Sequence, residues 1–190
     1  SAQALAQLRD GARLVREGRL ADAIEHYHRA QALAPRSPEP HDQLGLVYLK
    51  AGRFDEAQRE FEAALRRAPD TGSFLNNLGL ALHMKGEFRA ALGVFRRAWE
   101  GDRSRVESGV NLALVLRRLG RRDEARAILA KTLEVRDALP EGHLNLASLS
   151  EEDGDHRAAL FHYRRFLDLT EGQSSSLRDE VRGRVAALQP

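Results

Sequence analysis

Gly52-Arg53-Phe54-Asp55-Glu56-Ala57-Gln58-Arg59-Glu60-Phe61-Glu62-Ala63-Ala64-Leu65-Arg66-Arg67-Ala68-Pro69 reads as a turn, a helix and a stop. The glycine reverses the chain, an amphipathic helix follows, and the proline ends it. Ala57, Phe61 and Ala64 lie four and three residues apart, so they share one helical face. Alanine there lets a second helix come close, and the ring wedges into the gap beside it. The stretch is half of a packed helical hairpin.

That half recurs. Gly18, Gly52, Gly86, Gly120 and Gly154 are each 34 residues apart. Five residues after each stand Ala23, Ala57, Ala91, Ala125 and Ala159, and four beyond those come Tyr27, Phe61, Phe95, Leu129 and Tyr163. Upstream, Gly11, Gly45, Gly79, Ala113 and Ala147 keep the same phase. Four columns in register over most of the chain mean a repeat solenoid.

Composition agrees. Aromatic residues make up 6% and charged residues 31% of the 190, which suits thin, alanine-rich helical layers. Thirty basic residues against twenty-eight acidic ones give a net charge of +2, too small for a strong positive field. With no cysteine, disulfides and thiolate metal sites are excluded and the redox compartment stays open. No run of about 18 apolar residues predicts a membrane helix. No signal peptide is read, and Ser1 is the expected start of a mature or trimmed chain.

In chain order, five repeats are predicted at 4–37, 38–71, 72–105, 106–139 and 140–173, in a single solenoid domain. Ser37 is expected as an N-cap with Pro38 at the first helical position, and Ser104-Arg105-Val106-Glu107 as a capping box. From Ser174 the pattern changes. A capping helix over 174–189 is predicted, with Leu177, Val181, Val185 and Leu188 in an apolar stripe and Arg178, Asp179, Arg182 and Gln189 opposite. A solenoid needs such a lid, because its last repeat otherwise leaves an apolar face wet.

Leu44-Gly45, Tyr48, Ala57, Phe61, Ala64 and Pro69 resemble the tetratricopeptide repeat (TPR) pattern W-x2-L-G-x2-Y, A-x3-F and a closing Pro. His41 stands where that pattern has tryptophan. Repeat 3 keeps Leu78-Gly79, Ala91, Phe95 and Ala98, and the resemblance covers roughly 4–173. It implies an all-α right-handed superhelix and a role in binding other proteins.

The resemblance also implies where a partner sits: in a concave groove lined by each repeat's first helix. The implied groove residues are Asn76, Asn77, Leu80, His83, Glu107, Asn111, Leu114, Arg117, Glu141 and Asn145. Asn77, Asn111 and Asn145 form a ladder one repeat apart. An amide offers both a donor and an acceptor, so such a ladder can pair with the backbone of an extended peptide of any sequence. Leu46, Leu80 and Leu114 give an apolar floor, and Glu39, Glu107 and Glu141 favour basic residues in the ligand. The alternative is that these asparagines bridge neighbouring helices and touch no ligand. Capture of a chaperone's C-terminal carboxylate is not expected, because Ser73, Glu107 or Glu141 occupies the position that would need a lysine.

No catalytic or metal site is expected, and no cofactor. His26 and His28 face different ways on a helix, while His41 and His143 stand at a packing position. Arg117, Arg118, Arg121 and Arg122 could grip an acidic partner or a phosphate, but Glu151 and Glu152 hold the same positions one repeat later, so pairing between repeats is expected. No phosphate loop or catalytic constellation is present. Exposed aromatics do not interleave with the arginines, which argues against nucleic acid. Repeat 1 shows a greasier inner face in Leu5, Leu8, Ala12 and Val15, expected to take a partner's hydrophobic anchor, a second copy or an N-terminal segment.

The sequence therefore reads as a non-enzymatic scaffold that binds an extended peptide or helix of another protein. One alternative is a homotypic assembly module, self-associating through repeat 1 or the cap. Another comes from Leu75-Asn76-Asn77, Asp102-Arg103-Ser104-Arg105-Val106 and Tyr163-Arg164-Arg165-Phe166, which are similar to type IV pilus pilotins, TPR lipoproteins that help secretins assemble. The lipidated cysteine of that group is absent from this chain. The Ala/Arg/Leu-rich make-up points to a bacterium, with cytoplasm and periplasm both open.

Overall fold

Each turn glycine adopts the left-handed conformation that its spacing predicts. Gly18, Gly52, Gly86, Gly120 and Gly154 have φ between 73° and 80°, which a residue with a Cβ reaches only at a cost of about 1–2 kcal/mol. Around Gly52, its N–H bonds the Leu49 carbonyl and the Arg53 N–H bonds the Tyr48 carbonyl. That pair of bonds is a Schellman closure, and it recurs at all five glycines. At Gly52 the Arg53 guanidinium also lies 4.5 Å from the centre of the Tyr48 ring, adding a cation–π contact.

The computed structural model describes residues 1–189, and the described residues hold eleven α-helices and no strand. The chain divides into two compact units, Ser1–Asp102 and Arg103 onward. The first contains three hairpins: α1 (Ala2–Arg16) with α2 (Leu20–Leu33), α3 (Glu39–Lys50) with α4 (Phe54–Arg67), and α5 (Gly72–Met84) with α6 (Phe88–Gly101). The second contains two, α7 (Val106–Arg118) with α8 (Arg122–Val135) and α9 (Pro140–Glu152) with α10 (His156–Leu169), and α11 (Ser176–Leu188) packs on α10.

What closes each hairpin is a bulky side chain on its second helix. The rings of Tyr27, Phe61 and Phe95 are no more than 1% exposed. They sit where a Cβ on Gly11, Gly45 or Gly79 would lie only 2.5–2.6 Å from a ring carbon. Ala23, Ala57 and Ala91, fully buried on the same second helices, let the backbones approach. Burying one such ring contributes roughly 1.5–3 kcal/mol. In α7/α8 the pair becomes Ala113 with Leu129, smaller on one side and larger on the other. In α9/α10, Ala147, Ala159, Tyr163 and Phe166 form one cluster with Val181 of α11, and Leu144, Leu167 and the α11 residues Val185 and Leu188 lie at its edge.

Two helix entries lie one residue beyond their expected N-caps. The α3 N-cap is Pro38, one residue beyond the expected Ser37, whose hydroxyl bonds the Glu39 carboxylate instead. The α7 N-cap is Arg105, one residue beyond the expected Ser104, and the Arg105 side chain makes no cap bond. Arg105 (φ −80°, ψ 73°) centres an inverse γ-turn, in which the Val106 N–H bonds the Ser104 carbonyl.

The capping helix also departs from expectation. Arg178, expected on the outer face, is 6% exposed. Its guanidinium donates to the Leu167 carbonyl at 2.7 Å and to the Thr170 hydroxyl. It thereby satisfies the end of α10, although its Nε is buried without a partner. Leu177, expected in the apolar stripe, is 43% exposed.

One register position carries a polar bridge from first helix to second. Gln7 meets His26 (2.9 Å), His41 meets Glu60 (2.7 Å), and His143 meets His162 (3.0 Å, Nδ1 to Nδ1). His143 Nε2 lies 3.0 Å from the Asp137 carbonyl, which only accepts, so Nε2 carries the proton. His143 Nδ1 is then the acceptor and the His162 N–H donates. Burial pushes both imidazoles below their ordinary value; His143 adds to the effect on His162, and Arg165 to that on His143.

Two predictions follow from this packing. Gly45→Ala, which drives a methyl into Phe61, is expected to cost about 1–3 kcal/mol in urea unfolding. Gly93→Ala, at an exposed helical position with nothing within 4 Å, is expected to gain roughly 0.5–1 kcal/mol. For the histidine pair, the unfolded chain takes up protons first as the pH drops below the ordinary imidazole value, so stability is lost on acidification. Melting temperatures between pH 7.5 and 5.5 should fall less for His162→Glu, which rebuilds the His41–Glu60 pairing, than for wild type.

Candidate functional site

Successive first helices within each unit meet through residues 35 apart. Lys50 Nζ reaches the Val15 carbonyl at 3.4 Å, the Asn77 amide donates to Asp42 Oδ1 at 2.8 Å, and Arg117 bonds Glu152. A first helix therefore presents the residues beside these bridges along one face. The implied groove residues are distributed over that face in two separate sets.

In the first unit, Asn76, Asn77, Leu80 and His83 all lie half-buried on α5. Asn77 spends one amide N–H on Asp42, and His83 stands edge-on to Phe88 with ring centres 5.4 Å apart. On α1, Leu5 is 56% exposed, while Leu8 and Val15 are half-buried.

In the second unit, α7 carries Glu107, Asn111, Leu114 and Arg117, and α9 carries Glu141 and Asn145. Glu107 is exposed and paired with Arg136 at 2.9 Å. Glu141 is exposed too, and its carbonyl accepts from the Asn145 amide at 2.7 Å. Val110 stands in α7 where Asp42 stands in α3, so Asn145 has no carboxylate at the matching place.

Two clefts open on this part of the second unit. One, of about 540 Å³, is lined by Arg117, Leu144, Asn145, Ser148, Glu151 and Glu152, with Leu177, Glu180 and Arg184 of α11 as its far wall. The other, of about 460 Å³, is lined by Leu114, Arg117, Arg118, Arg122 and Glu152. Arg117 thus borders both, with Asn145 in the first and Leu114 in the second. Glu107, Asn111 and Glu141 line neither.

The cleft walls are held by charge. Glu151 accepts from the Tyr163 hydroxyl at 2.6 Å and from Arg184 at 3.0 Å. The hydroxyl, then the guanidinium, holds its carboxyl below the ordinary range. Arg122 reaches Glu152 at 3.5 Å and Asp153 at 3.8 Å, and Arg126 also pairs with Asp153. Of the arginine group, Arg117 and Arg122 pair with Glu152 of the next repeat, whereas Arg121 bonds Glu124 on its own helix and Glu151 takes Tyr163 and Arg184 instead. The α11 wall was not legible as a wall. Its one signal was the Glu180/Arg184 pair at helical spacing, with Arg184 33 residues after Glu151. Among the described residues no group of three or more His, Cys, Asp or Glu could hold a metal ion, and no helix is long and apolar enough to cross a membrane.

Family models of the tetratricopeptide repeat match residues 11–52, 43–104 and 107–143. The chain belongs to the tetratricopeptide repeat family. Similar proteins include the BBSome complex member BBS4 of Bos taurus, 28% identical over 142 residues, and the protein FlbA of Caulobacter vibrioides, 35% identical over 120 residues. These matches take in 75% and 58% of this chain but only 27% and 20% of the relatives, so it spans about a quarter of their length. Among solved TPR structures, PilF of Pseudomonas aeruginosa aligns with a TM-score of 0.83 at 20% identity, covering 98% of this chain and 89% of PilF. YrrB aligns with a TM-score of 0.72 at 22% identity, covering 95% and 92%. These likenesses establish the all-α TPR solenoid class, and that fold implies a protein–protein interaction scaffold.

The Tyr163 hydroxyl gives a direct test of the cleft wall. Tyr163→Phe keeps the ring in its core and removes the bond to Glu151, which should lower stability by about 1 kcal/mol in urea unfolding.

Proposed function

We propose that this TPR protein is a non-enzymatic scaffold that holds an extended segment of a partner protein against its first-helix faces, with the α9/α11 cleft as a principal grip. The observation that carries this reading is Asn145. Its amide is tied to its own helix by one N–H, which leaves the oxygen and a second N–H in a cleft beside Leu144 and Arg117. An amide held in that way can pair with a peptide's backbone while the leucine packs on its side chain. Glu107 and Glu141, both exposed, would favour basic residues at the edge, with Asn111 and Leu114 continuing the surface along α7. YrrB, described as a TPR protein with an unusual peptide-binding site, shares the fold.

A pilotin-like assembly role is the second reading. The likeness to PilF over nearly the whole chain favours it through the fold. Self-association through α1 is a third, favoured by the exposure of Leu5. Leu8→Glu with light scattering at several concentrations tests it, the wild type being expected to grow in mass with concentration and the variant to stay monomeric.

The principal reading is tested on a dodecapeptide library displayed on phage and selected on the wild-type protein. Asn145→Ala is expected to weaken the selected peptides about tenfold, the loss of one to two buried hydrogen bonds. Unchanged binding would move the grip away from the cleft.

A further inference from the structure

Asp42 is a carboxylate that is 7% exposed and has no cation beside it. Its Oδ1 accepts from the Asn77 amide at 2.8 Å and its Oδ2 from the Gln43 amide at 3.4 Å, both neutral donors. The one charged side chain that influences it is Glu39, of the same sign, and burial pushes its carboxyl above the ordinary value. A buried anion left with neutral partners costs free energy unless a counter-charge arrives. Perturbed carboxylates of this kind concentrate at binding sites.

The surroundings say what the counter-charge looks like. Glu39, Asp42 and Leu46 stand at i, i+3 and i+7 of α3, so they form one stripe. Both ends of the stripe are open: Glu39 is exposed and Leu46 is 36% exposed. Leu80, half-buried, stands three residues after Asn77 on the facing helix. Two leucines beside two carboxylates match a side chain with an aliphatic stem and a cationic head.

We infer that Asp42, with Glu39 at its mouth and Leu46 and Leu80 at its sides, forms a subsite for a lysine or arginine side chain of a bound peptide. The inference rests on the peptide-binding reading but uses the first unit, whereas the cleft around Asn145 belongs to the second. In the absence of ligand the carboxylate is held at a cost to stability. On binding, the incoming cation neutralises it while the stem covers the leucines.

The test uses peptides selected from the phage library on the wild-type chain. Each lysine or arginine is replaced in turn by norleucine, which keeps a stem and removes the charge. At one position norleucine should weaken binding to wild type about tenfold, as expected for a charge-assisted bond, and leave binding to Asp42→Asn unchanged. Asp42→Asn should also melt at or above the wild-type temperature at pH 7. That gap should close on acidification, because the wild-type carboxyl, raised in the folded state, takes up its proton first in the fold.

A lower melting temperature for Asp42→Asn at pH 7 would make the carboxylate a structural strut and overturn the inference. So would selected peptides that lack a cation or bind both proteins alike. If Asn145→Ala abolishes binding while Asp42→Asn and norleucine leave it intact, the peptide reading stands and this subsite falls. If the library yields no peptide at all, both fall together.

Discussion

Contact between a ring on one helix and a backbone without a side chain on its partner sets the geometry of this protein. Where Gly45 faces Phe61, the two helices are so close that a single Cβ would overlap the ring. The spacing of a hairpin is therefore fixed by that pair rather than by the longer side chains around it. Where the second unit uses Ala113, the opposing residue shrinks to Leu129, which keeps the filled volume similar. Where Ala147 faces Tyr163, the ring stays and its hydroxyl finds Glu151. A fixed spacing within each hairpin is what lets side chains 35 residues apart meet across successive first helices.

Much of this was legible in the sequence, because the decisive signals are local. A positive-φ glycine, an alanine five residues on and a ring four beyond that all act within one hairpin, so periodicity reveals them. The misreadings concern groups whose partner is chosen in three dimensions. Ser104 stands one residue before the observed N-cap, because the chain enters α7 through a γ-turn centred on Arg105. Arg178 read as a polar-face residue because nothing nearby in sequence shows that the unsatisfied end of α10 waits for it.

The same limit applies to the candidate surfaces. The 34-residue period places Asn77, Asn111 and Asn145 at equivalent positions, but equivalence of position does not make their bonds equivalent. Asn77 meets a carboxylate because Asp42 stands opposite. Asn145 turns to its own helix because the matching residue is Val110. Asp42 itself could have been singled out as an acid in a column that otherwise reads Leu8, Asn76, Val110 and Leu144, but its lack of a counter-charge became visible only once its neighbours were in place.

The five Schellman closures have a further consequence, in the time domain. Every hairpin is closed by bonds that span five residues or fewer across its glycine, together with a contact between a first-helix residue and a side chain sixteen residues later. Such a chain has low contact order and belongs among the fast-folding topologies. At synthesis rates of roughly 5–20 residues per second, a whole hairpin leaves the ribosome within seconds. It can therefore close before the next one is complete, and nascent apolar faces would be covered one at a time in the order they are made.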